Sequence, residues 1–228
     1  YSTLERVEVR GLDEQYEVTV STVDYTRQDQ TLLLPLWAGL PDAARANALV
    51  QRTLLDPQRY WRQYGLPNVS ALDPAYKRDN RGGGGGVWLM WNTMLGEGLL
   101  DYGYRAEAAE LVTRLMTAML ATLREEKSFR EAYSADTLEG LGDRDYLWGV
   151  APVALFMRVL GVRLVGSRKV YLDGRNPFPW PVTIRHKGLT VVRGLPSEAG
   201  PAETHITFPS GRSAVVSGDA PQLVEDVA

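Results

Sequence analysis

The spacing of apolar residues changes near Gly161, and this change constrains the possible folds more than any other feature of the sequence. Before Gly161, apolar residues recur with the period of amphipathic helices. After it, short β-branched runs are separated by Gly, Pro, Asn and Asp, which favour turns. We therefore predict a helical segment over residues 1–161 and a small antiparallel β-module over residues 162–228, with residues 221–228 as a frayed tail.

Within the helical segment, helices are predicted over residues 42–55, 87–102, 106–124 and 146–160. Asp42 is placed to cap the first of these, and Gly103 and Gly161 are placed to end two others. Pro152 must lie in the first turn of the last helix or kink it. An alternating pattern over residues 16–23 predicts one early strand or extended loop.

The β-module contains the β-branched runs and both histidines of the chain, His186 and His205. Surface strand positions account for these histidines, because no carboxylate cluster accompanies them at metal-ligand spacing. Neither a metal nor a cofactor is therefore predicted. The predicted strands cover residues 170–172, 182–184, 189–192, 204–208 and 214–216.

Composition excludes several classes of function. The chain has 228 residues, 44% of them hydrophobic, which is enough to bury a core without disulfide or metal staples. The absence of cysteine excludes thiolate catalysis, and a net charge of -3 disfavours a nucleic-acid partner. No apolar run is long enough to cross a bilayer and no signal peptide is visible, so we predict no membrane partner and a cytoplasmic location.

Five short stretches, read in order, resemble the second half of the (α/α)6-barrel glycosidases of the trehalase and glycoside hydrolase family 63 group, which includes processing α-glucosidase and mannosylglycerate hydrolase. They are LPLWAGL at residues 34–40, GLPNVSALD at 65–73, VWLMWN at 87–92 with GLLDYG at 98–103, FREAY at 129–133 and YLWGVAP at 146–152. The resemblance implies a mainly α fold, in which partial (α/α)6-barrel helices precede the β-module.

The resemblance also implies a role for Glu131. In the family, the glutamate of a segment like FREAY is the general base of an inverting O-glycosidase. The family's catalytic Asp follows an aromatic-rich segment that this sequence lacks, so the general acid is expected in a missing N-terminal half of the same barrel. Taken without the resemblance, Glu131 is a solvated loop glutamate or a partner of Arg130. Asp136 and Glu139 are alternative bases.

Other residues are candidate contacts to a carbohydrate substrate. Trp88 and Trp148 follow predicted loops at helix starts and offer flat rings for a sugar face. Asn92 can hydrogen-bond a hydroxyl, and the aromatic ring of Tyr133 is expected to help form the cavity wall. By resemblance Arg81 is a further contact, although the family usually has Trp-Arg-Gly-Pro where this chain has Arg81 followed by five glycines.

The five glycines at residues 82–86 do not form a nucleotide-binding loop, because Val87 and Trp88 follow them instead of Gly-Lys-Ser/Thr. A mobile loop that approaches a ligand with its backbone, or a flexible connection, is expected instead. A second function also stays open. A non-catalytic carbohydrate-binding or scaffold module would bind sugars without cleaving them, and calorimetric titration with α-glucosides, trehalose and mannosylglycerate would distinguish it from an enzyme.

Overall fold

The computed structural model describes residues 6, 8–11, 13–19, 27–196 and 201–227. In these residues, helices and three small antiparallel sheets follow one another along the chain. The helices are α1 (Leu34–Trp37), α2 (Ala43–Leu49), α3 (Leu89–Asp101), α4 (Arg105–Glu126) and α5 (Ala151–Val159). The strands are β1 (Gly86–Val87), β2 (Arg130–Ser134), β3 (Gly140–Arg144), β4 (Val162–Gly166), β5 (Lys169–Leu172), β6 (Val182–His186), β7 (Leu189–Arg193), β8 (Glu203–Thr207), β9 (Ser213–Ser217) and β10 (Gln222–Glu225).

The predicted helices are confirmed with changes at their ends, the largest being that the last one begins with a 3-10 helix over Leu147–Val150 and is α-helical only from Ala151. Asp42 caps α2 by accepting a hydrogen bond from the Arg45 backbone N–H at 2.8 Å, and α2 continues into a π-helical turn over Val50–Leu54. Pro152 lies in the first turn of α5, where its missing N–H has no helical partner to lose. Helix α3 begins two residues later than predicted because Val87 belongs to strand β1.

Helix α3 lies at the centre of the helical packing and contacts α1, α4 and α5. Leu95 and Leu99 on α3 are fully buried. Gly98 brings the backbones of α3 and α1 together, since a Cβ atom at this position would lie 2.8 Å from the Trp37 backbone nitrogen and 3.0 Å from the Leu36 carbonyl carbon. A side chain at Gly98 would therefore force two helix backbones apart.

We expect Gly98→Ala to lower the free energy of unfolding by about 1–3 kcal/mol, because the added methyl group overpacks a contact made by backbone atoms. This loss would outweigh the gain of about 1 kcal/mol that alanine brings to a helix interior. Urea denaturation measures the change. Gly166→Ala is the control, since a Cβ atom there meets nothing within 4 Å. Equal stabilities of the two variants would contradict the close approach of α1 and α3.

The β-module has two sheets, one with strand order β10-β5-β4 and one with order β6-β7-β8-β9. All five predicted runs lie in strands, except that Phe208, the last residue of the 204–208 run, follows β8. The predicted fraying of residues 221–228 is wrong for the described part of that tail, because Gln222 to Glu225 pair with Lys169 to Leu172. The Asp226 backbone N–H then donates to the Arg168 carbonyl at 2.9 Å.

The third sheet, with order β1-β2-β3, lies inside the segment that was predicted to be helical. Strand β2 covers most of the FREAY stretch, which was expected to be a loop after a helix. Residues 16–19 of the predicted early strand lie in no strand, and residues 20–23 lie outside the described residues. The fold is therefore a combination of helices with small antiparallel sheets.

The buried apolar residues on both sides of Gly161 belong to one continuous hydrophobic cluster. Leu155 and Val159 of α5 are fully buried in it, as is Val170 of β5. The division into two domains at residue 161 stays a prediction. What the fold establishes is that the β1-β2-β3 sheet, which carries Glu131, contacts the long helix α4.

Candidate active site

Glu131 lies on strand β2 opposite a β-bulge. Arg130 pairs with Arg144 and Ala132 pairs with Leu141, so the single residue Glu131 faces both Gly142 and Asp143 on β3. Gly142 has φ +71°, a left-handed conformation that glycine adopts without steric cost. Bulges of this kind bend a strand and re-aim side chains, and they are frequent next to active sites. The strand thus presents Glu131 at an irregular point of the sheet.

Glu131 is half-buried, and its carboxylate accepts one hydrogen bond from the described residues. Its Oε2 atom accepts a hydrogen bond from the Asp143 backbone N–H at 3.3 Å. Among residues 27–196 and 201–227, no cation forms an ion pair with Glu131. Arg130, the partner considered from sequence, instead donates to Glu126 Oε2 at 2.7 Å and to the Gly142 carbonyl at 2.9 Å. Glu131 is therefore a carboxylate that no cation in the described residues neutralises.

Asp136, one alternative base, is held by three donors. Arg62 Nε donates to Oδ1 at 2.8 Å, while the Tyr76 hydroxyl and Arg78 Nε donate to Oδ2 at 2.9 and 3.0 Å. Burial alone would raise the pKa of Asp136, but the bonds from Arg78, Arg62 and Tyr76 outweigh it and hold the pKa below its usual value. A carboxylate with a lowered pKa and both oxygens bonded is a weak base.

Glu139, the other alternative base, lies on the exposed turn between β2 and β3. Its Oε2 atom accepts a hydrogen bond from the Thr137 hydroxyl at 2.9 Å, within the same turn. Neither burial nor a bulge directs this side chain. Of the three carboxylates considered from sequence, Glu131 alone combines partial burial with freedom from a cationic partner in the described residues.

Trp88 and Trp148 lie together, with ring centroids 5.5 Å apart and planes tilted by 47°. Tyr146 packs edge-on against Trp148 at 5.3 Å. Trp88 is the residue just before α3 and directly follows β1, so the short sheet connects it to the strand of Glu131. Its indole nitrogen is buried and has no hydrogen-bond partner in the part of the chain that is described. The structure thus brings the two predicted tryptophans into one aromatic cluster.

Asn92 has a different environment from the one predicted. It is fully buried, its Oδ1 accepts from the Leu66 backbone N–H at 2.8 Å, and its Nδ2 donates to the carbonyls of Leu66 at 2.9 Å and Trp88 at 3.1 Å. These bonds satisfy the polar backbone of Leu66, which a buried loop cannot leave unpaired. The amide is thus engaged within the protein, not presented to a sugar hydroxyl.

Tyr133 and Arg81 lie at opposite extremes of exposure. Tyr133 is fully buried on β2, and its hydroxyl accepts a hydrogen bond from the Arg130 backbone N–H at 3.2 Å. Burial raises the pKa of Tyr133 above its usual value. The Arg81 side chain is 84% exposed and pairs with Asp79 at 3.2 Å. In this structure Tyr133 supports the strand from within, whereas Arg81 is available at the surface.

The five-glycine run has two parts: Gly82 and Gly83 are exposed with nothing near their Cβ positions, whereas Gly84 and Gly85 are packed where the loop approaches β1. A Cβ atom on Gly84 would lie 2.4 Å from the Ala75 carbonyl oxygen, and one on Gly85 would lie 2.1 Å from the Lys77 carbonyl oxygen. The Gly85 backbone N–H also donates to Asn68 Oδ1 at 2.6 Å. Only glycine allows these backbones to come so close. The loop thereby positions β1 against β2.

The residues described contain neither a metal-binding cluster nor a helix suited to span a membrane. His186 on β6 and His205 on β8 are exposed, and His205 lies 3.3 Å from Glu203. Across the described ranges, no group of three or more His, Asp or Glu side chains is arranged to hold a metal ion. None of the helices described combines the length and the apolar character needed to span a membrane.

Comparisons with known proteins identify the family of this chain. A family model described as the mannosylglycerate hydrolase MGH1-like glycoside hydrolase domain matches residues 18–149, which is more than half of the chain. Mannosylglycerate hydrolase from Thermus thermophilus is 36% identical over 125 residues, covering 54% of this chain and 28% of that protein. Mannosylglycerate hydrolase MGH1 from Selaginella moellendorffii is 42% identical over 84 residues, covering 36% of this chain and 16% of that protein.

Among solved structures, a glycoside hydrolase family 63 mannosylglycerate hydrolase from another strain of Thermus thermophilus, in complex with glucose, shares 34% identity and has a TM-score of 0.47. That match covers 58% of this chain and 30% of the solved chain. The present chain thus spans less than a third of the length of these relatives. Glu131 and the Trp88–Trp148 pair all lie within the residues that the family model matches. The chain belongs to the mannosylglycerate hydrolase MGH1-like glycoside hydrolase domain family.

Proposed function

We propose that this chain is part of the catalytic domain of an inverting O-glycoside hydrolase and that Glu131 is its general base. The observation that carries the proposal is the half-buried Glu131 carboxylate, which faces a β-bulge and has no cationic partner in the described residues. Family membership supports the reaction class, since residues 18–149 match a glycoside hydrolase domain. Mannosylglycerate is the first substrate to test, because the relatives are named mannosylglycerate hydrolases. Trehalose and α-glucosides follow.

In this reaction Glu131 removes a proton from a water molecule as the water oxygen attacks the anomeric carbon. The bond between that carbon and the leaving-group oxygen breaks, and a second carboxylic acid protonates the leaving oxygen. In inverting enzymes the two carboxyl groups lie about 6.5–9.5 Å apart, which leaves room for the water. The freedom of the Glu131 carboxylate from an ion pair in the described residues suits it to accept the proton.

The acid is proposed to come from a part of the (α/α)6 barrel that lies outside this chain. Asp136 does not suit the role, because a general acid must be protonated at working pH and the pKa of Asp136 is held below its usual value. Helices α1 to α5 are proposed as the contribution of this chain to the barrel. The N-terminal half of the same barrel is then the partner that completes the site.

Sugar binding is assigned to the aromatic pair and to Arg81. Trp88 and Trp148 are half-buried, so each retains ring surface for the C–H face of a pyranose. The exposed Arg81 guanidinium suits a carboxylate on the substrate, such as that of a glycerate group.

The stereochemistry of the product tests the proposal. The first sugar released from mannosylglycerate is expected to have the anomeric configuration opposite to that of the substrate, because water attacks from the face opposite the leaving group. Proton NMR measures the anomeric configuration of the released sugar. The full-length protein must be concentrated enough to complete hydrolysis before this sugar mutarotates. A product of retained configuration would contradict the proposal. Calorimetric binding of the sugar without hydrolysis would favour the non-catalytic alternative.

A further inference from the structure

We infer that Gly142 is a positioning residue for the Glu131 carboxylate, an inference that rests on the proposed role of Glu131 as general base. Gly142 lies on β3 in the bulge opposite Glu131 and has φ +71°. A Cβ atom on Gly142 would lie 2.2 Å from Glu131 Oε2, 3.0 Å from its Cβ and 3.1 Å from its Cδ. The space that the carboxylate occupies is therefore the space that a side chain at residue 142 would fill.

The same bulge supplies the hydrogen bond that orients the carboxylate. With two residues of β3 opposite one residue of β2, the backbone after Gly142 turns, and the Asp143 N–H donates to Glu131 Oε2 at 3.3 Å. The second oxygen, Oε1, has no hydrogen-bond partner in the described residues. One oxygen is thus anchored by the backbone and the other is left to accept a proton from water.

A side chain at residue 142 is expected to affect catalysis more than folding. The nearest atom to the new Cβ is the far end of a flexible glutamate side chain, which can rotate away, whereas the Glu131 Cβ at 3.0 Å needs only a shift of a few tenths of an ångström between the two strands. Gly142 is itself exposed, so the added methyl group displaces no buried core residue. A displaced carboxylate keeps its charge but loses its place beside the attacking water, and a misplacement of about 1 Å costs about 100-fold in rate.

The experiment compares variants of the full-length protein with mannosylglycerate as substrate. Gly142→Ala is expected to lower kcat by about 100-fold while KM stays within about threefold, both measured well below the melting temperature, which backbone strain at φ +71° lowers. Gly103→Ala is the matched control, because Gly103 has φ +86° and a Cβ atom there meets nothing within 4 Å. It reports the effect of the left-handed backbone alone, and its kcat should equal that of the unaltered protein.

A second variant separates the Cβ contact from backbone strain. Asparagine tolerates the left-handed conformation better than alanine but still carries a Cβ atom. Gly142→Asn should therefore fold at least as well as Gly142→Ala and lose kcat to a similar extent. Full activity in a folded Gly142→Asn protein would overturn the inference, and this variant decides the question if Gly142→Ala fails to fold.

A double-mutant cycle shows whether Gly142 acts through Glu131. In a Glu131→Gln background, Gly142→Ala should lower the residual kcat no further, since residues that act through one group are not additive. A further loss of about 100-fold in that background would overturn the inference, because Gly142 would then act by another route. If Glu131→Gln lowers kcat by about 100-fold or more but Gly142→Ala leaves kcat unchanged, the positioning role fails and the general base stands. If Glu131→Gln itself retains turnover, the proposed function fails.

Discussion

Replacing Glu131 by glutamine is expected to lower kcat by about 10²–10⁴-fold, the contribution typical of a general base. Glutamine keeps the size of the side chain and its hydrogen bond from the Asp143 N–H, but its amide oxygen cannot take a proton from water at neutral pH. Because the base contacts the attacking water and not the sugar, KM should change by less than about threefold. Initial rates of mannosylglycerate hydrolysis by the full-length protein measure both constants.

Glu139→Gln is the matched control for this variant. Glu139 is exposed on the turn that joins β2 and β3, only eight residues from Glu131, and the substitution removes the same charge. Its kcat should therefore equal that of the unaltered protein. Equal losses in the two variants would show that the net charge of this turn matters and not the identity of the base. An unchanged kcat in Glu131→Gln would remove Glu131 from the mechanism.

Replacing Asp136 by asparagine is expected to lower the free energy of unfolding by about 2–3 kcal/mol near neutral pH. The Asp136 side chain is 7% exposed, and its loss of charge leaves the Arg62 guanidinium, 25% exposed, without its counter-ion. Arg78 contributes little to this figure, because its side chain is 73% exposed and its charge is screened by solvent. Urea denaturation of the variant and the unaltered protein measures the difference.

The pH dependence of that difference has a definite sign. Hydrogen bonds from Arg78, Arg62 and Tyr76 overcome the effect of burial and hold the pKa of Asp136 below its usual value of 3.8. A carboxyl group whose folded pKa is lowered stabilises the protein fully above the unfolded pKa and stops doing so as the pH falls through the folded pKa. The stability difference between the two proteins should therefore be constant from neutral pH to about pH 5 and shrink below about pH 4. A difference that grows in acid would contradict this assignment.

Asp136→Asn also tests whether Asp136 contributes to stability and not to catalysis. Since both Asp136 oxygens bond donors within the protein, the folded variant should retain most of its kcat, whereas Glu131→Gln should keep its stability and lose its kcat. The two carboxylates lie five residues apart in one short stretch of sequence. Their opposite behaviour would show that their surroundings, and not their residue type, decide their roles.

The helices were predictable because their determinants are local. The apolar stripe of α4 places its residues three and four positions apart, and Leu111, Val112 and Leu115 are buried as that spacing requires. The Asp42 cap and the turn at Gly103 likewise involve residues within a few positions of each other. The same holds for the hairpins β4–β5 and β6–β7, in which two residues join the paired strands, but not for β10, whose partner β5 lies about 50 positions earlier.

Strand β2 was not predictable in this way. Its residues Tyr133 and Ser134 pair with Val87 and Gly86, which lie more than 40 positions earlier in the chain. Its other partner, β3, is local, but the GLGDR sequence of β3 has no β-branched or aromatic residue to predict a strand, so the stretch looked like a loop after a helix. The hydrogen bonds of Asn92 were not predictable for the same reason, because the Leu66 backbone that engages its amide lies 26 positions away.

The sequence by itself determined the helices with local periodicity, the β-runs after Gly161 and, through its resemblance to a glycosidase family, Glu131 as a candidate base. Only the tertiary structure decided that Glu131 faces a bulge at Gly142, that Arg130 pairs with Glu126 instead, and that Asp136 is bound by Arg62 and Arg78. The physical reason is how far apart along the chain the interacting residues lie. Helix periodicity is expressed between neighbouring turns, whereas the charge and freedom of a carboxylate depend on whichever groups the fold brings within a few ångströms of it.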